Sequence, residues 1–263
     1  MKIKEISKRV REIRSGCRLL YTNVNWSNLD LDKDVEILED KKGIAFLVPE
    51  TNKMKVYYAA ADQDGMVELL ERAPSGVVLE YFYKRDNDMN DLFERAGFTH
   101  YAEYFRVTTL YEENPYGKET GKKKLLDELY DPKCGEYPEL EDAEELEKLL
   151  RDKFDPLTDD VFSRDEWIEI IKRKECLIIK ENGKIVTCYV WRLSGKKLYG
   201  NISLNLGPAN YMYNLERRVF DSMWEAGIRV NYAWFNEKNS RAFTKSGLTK
   251  KAGDLYDAIY IKQ

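Results

Sequence analysis

Few side chains in this sequence can do chemistry alone, and their spacing narrows the choice. The one histidine, His100, stands three residues after Gly97 at the start of a strand-like stretch. A Ser-His-Asp arrangement would rest on it alone, and a histidine-rich metal site is excluded. His100 therefore reads as structural. The four cysteines, Cys17, Cys134, Cys176 and Cys188, form no Cys-x-x-Cys pair, the usage expected of reduced, partly buried thiols. Eighteen tyrosines supply most of the 13% aromatic content. Each joins an apolar body to a polar tip, which suits half-buried strands first and a binding cleft second.

The charge balance limits partners. With 43 Lys and Arg against 47 Asp and Glu, the net charge of −4 offers nucleic acid no attraction. The runs Lys122-Lys123-Lys124 and Lys250-Lys251 are short and read as solvated surface. The start of the chain carries Lys2, Lys4, Lys8 and Arg9 with no apolar core, unlike a secretory signal. No apolar run is long enough to cross a membrane. A cytoplasmic protein without membrane or nucleic-acid partners is the expectation.

The elements that must position any site follow one order twice. Ile3, Ile6, Val10 and Ile13 recur at helical spacing before Gly16. Strand patterns at 35–38, 44–48 and 54–60 follow. A helix over 65–73 comes next, with Asp64 as its expected cap, and then a strand at 77–83. A short helix at 89–96 ends at Gly97, and a strand covers 101–109. A tract rich in Glu, Lys, Asn, Pro and Gly reads as a linker over 112–136. The second pass begins with a helix at 143–150 and another announced by the capping-box pattern Ser163-Arg164-Asp165-Glu166. Strands at 176–179, 185–193 and 198–206 lead to a helix at 215–226, a strand at 228–234, a helix at 240–246 and a strand at 255–261. Gly76 matches Gly227 and Gly97 matches Gly247. The spacing predicts an α/β (α+β) fold made by tandem duplication, a mixed sheet flanked by helices in each copy. The expected domains are 1–111 and 137–263, and each, at ~130 residues or somewhat fewer, is large enough to fold alone.

This order, read with Asn236-Glu237-Lys238-Asn239-Ser240-Arg241-Ala242-Phe243-Thr244-Lys245-Ser246-Gly247-Leu248, resembles the GCN5-related N-acetyltransferase (GNAT) family. The resemblance implies an acyl-CoA N-acyltransferase-like fold, and it implies that Asn239, Phe243 and their helix line the pantetheine arm of coenzyme A. The family's pyrophosphate loop corresponds to Leu204-Asn205-Leu206-Gly207-Pro208-Ala209-Asn210-Tyr211-Met212-Tyr213-Asn214. Asn205, Leu206, Gly207, Asn210, Tyr211, Met212 and Tyr213 are thereby cofactor-binding candidates. The stretch has one glycine, lacks Gly-x-Gly, and has no basic residue at the family's loop position. Arg217 and Arg218 are the nearest substitutes. The second half is longer than the first by eight residues between Lys196 and Gly227 (31 against 23 between Lys53 and Gly76), and these are assigned to the loop. In the first half Ala61-Asp62-Gln63-Asp64 sets two carboxylates where a phosphate would lie.

The family's usual acid, a tyrosine on the late helix, corresponds to Phe243 and Phe93, neither of which donates a proton. Tyr211 and Tyr213 are substitutes, Glu237 and Asp257 are candidate bases, and main-chain N–H groups near Leu206 are candidates to polarise the carbonyl. No catalytic residue is assigned. The leading expectation is an N-acyltransferase moving an acyl group from acetyl-CoA or another acyl-CoA to a small-molecule or peptide amine, acting through residues 137–263. The alternatives are an inactive GNAT-like binding module and an aminoacyl-tRNA-dependent peptidyl transferase-like protein. The chain is expected as a monomer of pseudo-symmetric halves or a homodimer.

Overall fold

The computed structural model describes residues 1–84, 89–116, 127–159, 161–239 and 253–263. The chain divides into two compact units, residues 1–105 with 236–263, and residues 106–235.

In unit 1, helix α1 (Ile3–Gly16) buries Ile3, Ile6, Val10 and Ile13, the four residues picked out by their spacing. Complete burial of each is worth ~1.5–3 kcal/mol, which anchors α1 on β3 (Gly43–Pro49) and β4 (Met54–Ala60). Strands β2 (Glu36–Glu39), β3 and β4 are antiparallel neighbours, and β1 (Tyr21–Thr22) also pairs with β4. Helix α2 (Gln63–Glu71) is capped by Asp62, which accepts the Gly65 N–H at 2.7 Å, and not by Asp64 as expected. Asp62 has the extended backbone a capping residue needs, whereas Asp64 is already in the first turn. β5 (Val78–Tyr83) runs parallel to β4, α3 (Asn90–Arg95) follows, and β6 (Phe98–Leu110) closes this pass.

The last strand of the chain, β11 (Leu255–Lys262), also belongs to unit 1. It pairs antiparallel with β5 from Tyr256–Tyr83 to Ile261–Val78, giving the order β2-β3-β4-β5-β11-β6. The compact units thus depart from the expected boundaries of 1–111 and 137–263. The cause is strand pairing, which is non-local: Gly76 donates to the Lys262 carbonyl and Lys262 to the Val77 carbonyl.

Unit 2 contains α4 (Ala143–Lys153), α5 (Arg164–Lys172), β7 (Cys176–Glu181), β8 (Lys184–Ser194), β9 (Lys197–Asn205), α6 (Ala209–Glu225) and most of β10 (Val230–Asn236). Its order is β7-β8-β9-β10, and the end of β6 lies beside β10. The expected capping box is present: Ser163 Oγ accepts the Glu166 N–H at 3.4 Å and Glu166 accepts the Ser163 N–H at 2.8 Å. It starts α5 so that Trp167, Ile170 and Ile171 meet the sheet with α4. α6 covers the other face, over Leu177, Tyr189, Trp191 and Leu198.

Two expectations change here. The described part of the expected linker is packed: Glu136 and Ile178 exchange main-chain hydrogen bonds at 2.9 Å. Gly135 has φ +85°, and a Cβ there would collide with Leu215, so only glycine suits the position. Second, α6 starts at Ala209, before the expected 215. Its 17 residues against the nine of α2 account for the extra eight, which are helix and not loop.

Candidate functional site

The parallel pair β9–β10 defines the site. Its register runs from Lys197–Val230 to Gly200–Ala233 and stops. At the same level the β8–β9 register shifts, with Trp191 opposite Gly200 and Val190 opposite Ile202, so that Asn201 is the extra residue of a β-bulge. A bulge bends its strand and sharpens the twist, which carries Asn201–Asn205 away from β10. Among the described residues no strand pairs with that edge of β9 beyond Gly200. Main-chain N–H and C=O groups need partners when buried, so a parted parallel pair can receive an extended ligand rich in amides.

The parted strand leads into a tight junction, Leu206-Gly207-Pro208, before α6. Asn205 holds it together. Its Oδ1 accepts from Thr187 Oγ1 at 2.7 Å and from the Gly207 N–H at 3.1 Å, and its Nδ2 donates to the Pro208 carbonyl at 3.0 Å. The Leu206 N–H donates to the Val186 carbonyl and the Tyr211 N–H to the Pro208 carbonyl, while Pro208 has no N–H. The N–H groups of Ala209 and Asn210 remain for an anion, together with the positive end of the α6 dipole.

The remaining candidates take distinct places. Tyr211 lies over Gly207, where a Cβ would come within 2.7 Å of its ring, and its hydroxyl donates to Glu181 at 2.7 Å. That carboxylate holds the Tyr211 phenol above its ordinary pKa. Tyr213 is buried and raised first by burial, then by Asp127, to which its hydroxyl donates. Tyr211 and Tyr213 are thus helical residues with committed protons, not loop residues, and Met212 packs under α6. Arg217 binds Asp127 and stands over Tyr130 at 4.0 Å, and Arg218 donates to the Gly135 carbonyl. Both arginines therefore tie down the 127–135 segment. Leu206 is exposed. Asn239 is exposed and falls in unit 1, as do Glu237 and Asp257, whereas Phe243 and its helix lie outside the described residues. His100 packs edge-on against Tyr260.

Sequence reasoning missed Asn201 and the cavity beside it. Phe162, Ile170, Arg173, Glu175, Arg192 and Asn201 line a space of about 450 Å³ on the α5 face, within the size range of small-ligand pockets. The Gly200-Asn201 pair inside a strand pattern was the available signal, since such a glycine often marks a bulge. By contrast, a crevice beside Phe220 and Trp224 has room for about 10 Å³, one water. Among the described residues no group of three His, Cys, Asp or Glu side chains is placed to hold a metal.

In unit 1 the equivalent gap is filled by the chain itself. β4 and β5 pair at Lys55–Val78 alone. Beyond it Tyr21 and Thr22 pair with Ala60 and Ala59 of β4. Asn23 Nδ2 donates to the carbonyls of Val56 and Glu80 at 3.1 Å each, and Asn23 Oδ1 accepts the Tyr58 N–H at 2.8 Å. The start of α2 is already occupied by the Asp62 carboxylate.

Each unit has a parallel strand pair that parts ahead of a helix, and solved structures resemble the chain as a whole. The chain is similar to a GCN5-related N-acetyltransferase from Sphaerobacter thermophilus, with TM-score 0.55 and 14% identity over 89% of this chain and 82% of that one. It is similar to a candidate acetyltransferase of the GNAT family from Novosphingobium aromaticivorans, with TM-score 0.51 and 12% identity over 83% and 88%. A Drosophila protein gives TM-score 0.50 and 13% identity over 98% of this chain and 86% of that one. The chain has the GNAT acetyltransferase fold over most of its length. No family model and no curated protein matches the sequence. Among the described residues no helix is long and apolar enough to cross a membrane.

Proposed function

We propose that the protein is an N-acyltransferase that takes its acyl group from acetyl-CoA or a related acyl-CoA in unit 2. The observation that carries this reading is the parting of β9 from β10 after Gly200–Ala233, beside the Asn201 bulge and its 450 Å³ cavity. The open edge of β9 suits the amides of a pantetheine arm. The Ala209 and Asn210 N–H groups at the α6 terminus would meet the pyrophosphate. When bound, the thioester supplies the acyl group. The chain's own part is to hold donor and amine side by side at the bulge, so that proximity does most of the work. Unit 1, whose gap is filled by Asn23, serves as scaffold. The shared sequence of two antiparallel pairs, one parallel pair and a helix in each unit supports an origin by tandem duplication.

One observation favours a second reading, an inactive binding module. Asn205, Val186 and Pro208 already take up the junction's donors. Calorimetric titration of acetyl-CoA into the full-length chain separates the two. Micromolar binding at one site per chain supports the transferase. No heat at millimolar acetyl-CoA with the protein folded removes it and leaves the binding module.

A further inference from the structure

The cavity beside Asn201 is unbalanced in charge. Arg173 and Glu175 pair with each other at 2.6 Å, whereas Arg192 has no ion-pair or hydrogen-bond partner among the described residues. Among the described lining residues, two guanidinium groups therefore face one carboxylate. Arg192 also heads a row across the sheet. It stands opposite Tyr199, and Tyr199 stands opposite Tyr232 with their rings stacked at 4.8 Å. The Arg106 guanidinium lies 4.7 Å from the Tyr232 ring. This row ends one residue short of the Gly200–Ala233 parting, so an anion held by Arg192 would be close to the place where the strands separate. Phe162 and Ile170 supply an apolar wall to the same cavity.

The geometry points to an acceptor that is a small amine carrying a carboxylate, an amino acid in the simplest case, with its carboxylate on Arg192 and its amine toward Asn201. This rests on the acyl-transfer reading for the amine's fate, and on the cavity alone for its recognition. A guanidinium grips a carboxylate through two parallel N–H···O bonds, a geometry no ammonium reproduces. Arg173 keeps Glu175 from competing for Arg192, and Phe162 with Ile170 accommodates an apolar side chain. In the transfer the neutral amine nitrogen bonds to the acyl carbon and the carbon–sulfur bond breaks. The proton lost by the amine reaches the departing thiolate through solvent, giving an amide and a free thiol.

The test uses the full-length chain. The standard amino acids are screened by calorimetry at millimolar concentration, and L-phenylalanine and L-leucine are titrated beside their C-terminal amides. The titrations are repeated with Arg192→Gln and Arg192→Lys, which alter an exposed side chain and spare the core. The expected result is an acid form that binds at least about tenfold tighter than its amide. Arg192→Gln should abolish that preference, and Arg192→Lys should restore part of it. Amides bound as tightly as acids, a preference that survives Arg192→Gln, or no binding by any amino acid would each overturn the assignment. Acetyl-CoA is titrated separately. Arg192-dependent binding of acids without acetyl-CoA binding upholds the carboxylate-amine site and removes the transferase, whereas acetyl-CoA binding without acid preference does the reverse.

Discussion

Asn23 donates its side-chain amide to the carbonyl of Glu80 at 3.1 Å, across the gap that opens between β4 and β5. The same amide serves Val56 and Tyr58, so one side chain satisfies three main-chain groups on two strands. Asn23→Ala should leave all three without that partner. At ~0.5–1.5 kcal/mol for each neutral hydrogen bond, the loss is about 1.5–4.5 kcal/mol by urea denaturation of the whole chain. Acetyl-CoA affinity should be unchanged. A loss of only a few tenths would show that water replaces the amide freely and that the gap is not sealed by this residue.

Thiol chemistry should divide by burial. Cys188 is fully enclosed and burial pushes its thiol up to about 12, and Cys176 is raised well above the ordinary range by burial first and by Cys188 second. Cys17 and Cys134 are partly exposed. The thiolate is the reactive form, so a higher pKa means less of it at a given pH. A disulfide reagent should therefore titrate two of the four thiols quickly in the native protein and all four in guanidinium. Four fast thiols in buffer would contradict this core packing.

Local pattern revealed more of the fold than of the site, and particular residues show why. The spacing Ile3, Ile6, Val10, Ile13 is a statement about one helix face, and the Ser163–Glu166 box reaches only three residues. Both can be read from a short window. The start of α6 was hidden because Tyr213, Asn214 and Leu215 are buried in succession, which blurs a helical period. Pro208 just before the first turn was the clue. No local pattern reveals that β11 pairs with β5, because Tyr256 and Tyr83 are far apart in sequence and nothing near either residue names its partner. The Asn23 bridge is equally invisible, since all its partners are main-chain groups. The β9–β10 register stops after four pairs, at the level of the bulge at Asn201, and only Gly200 hints at it.

Gly207 and Tyr211 should be coupled. A Cβ on Gly207 would come within 2.7 Å of the Tyr211 ring and 3.6 Å of Thr187 Oγ1. Gly207→Ala must push the ring aside and disturb its hydroxyl bond to Glu181. Overpacking of this kind costs ~1–3 kcal/mol. In a Tyr211→Ala background the obstruction is gone and the same change should cost little. A double-mutant cycle by chemical denaturation reads the difference directly. Additive costs would mean that the ring does not lie over the glycine in solution.

Asn205→Asp tests the site's electrostatics with the least change of shape. The new carboxylate keeps an acceptor for Thr187 and for the Gly207 N–H, but loses the donor to the Pro208 carbonyl and sets an oxygen against it instead, a local repulsion. A negative charge beside the start of α6 favours the helix by ~0.3–1 kcal/mol, so folding should be little changed. A diphosphate approaching the Ala209 and Asn210 N–H groups would meet that charge and be repelled. Acetyl-CoA binding should therefore weaken by about tenfold or more, equivalent to 1.4 kcal/mol, and the penalty should shrink as salt rises. Dephosphorylated pantetheine thioesters carry no diphosphate and should lose nothing. An equal loss for both ligands would mean that Asn205 shapes the parted strands and does not face the phosphates. Unchanged affinity for acetyl-CoA would place the nucleotide away from the α6 terminus altogether.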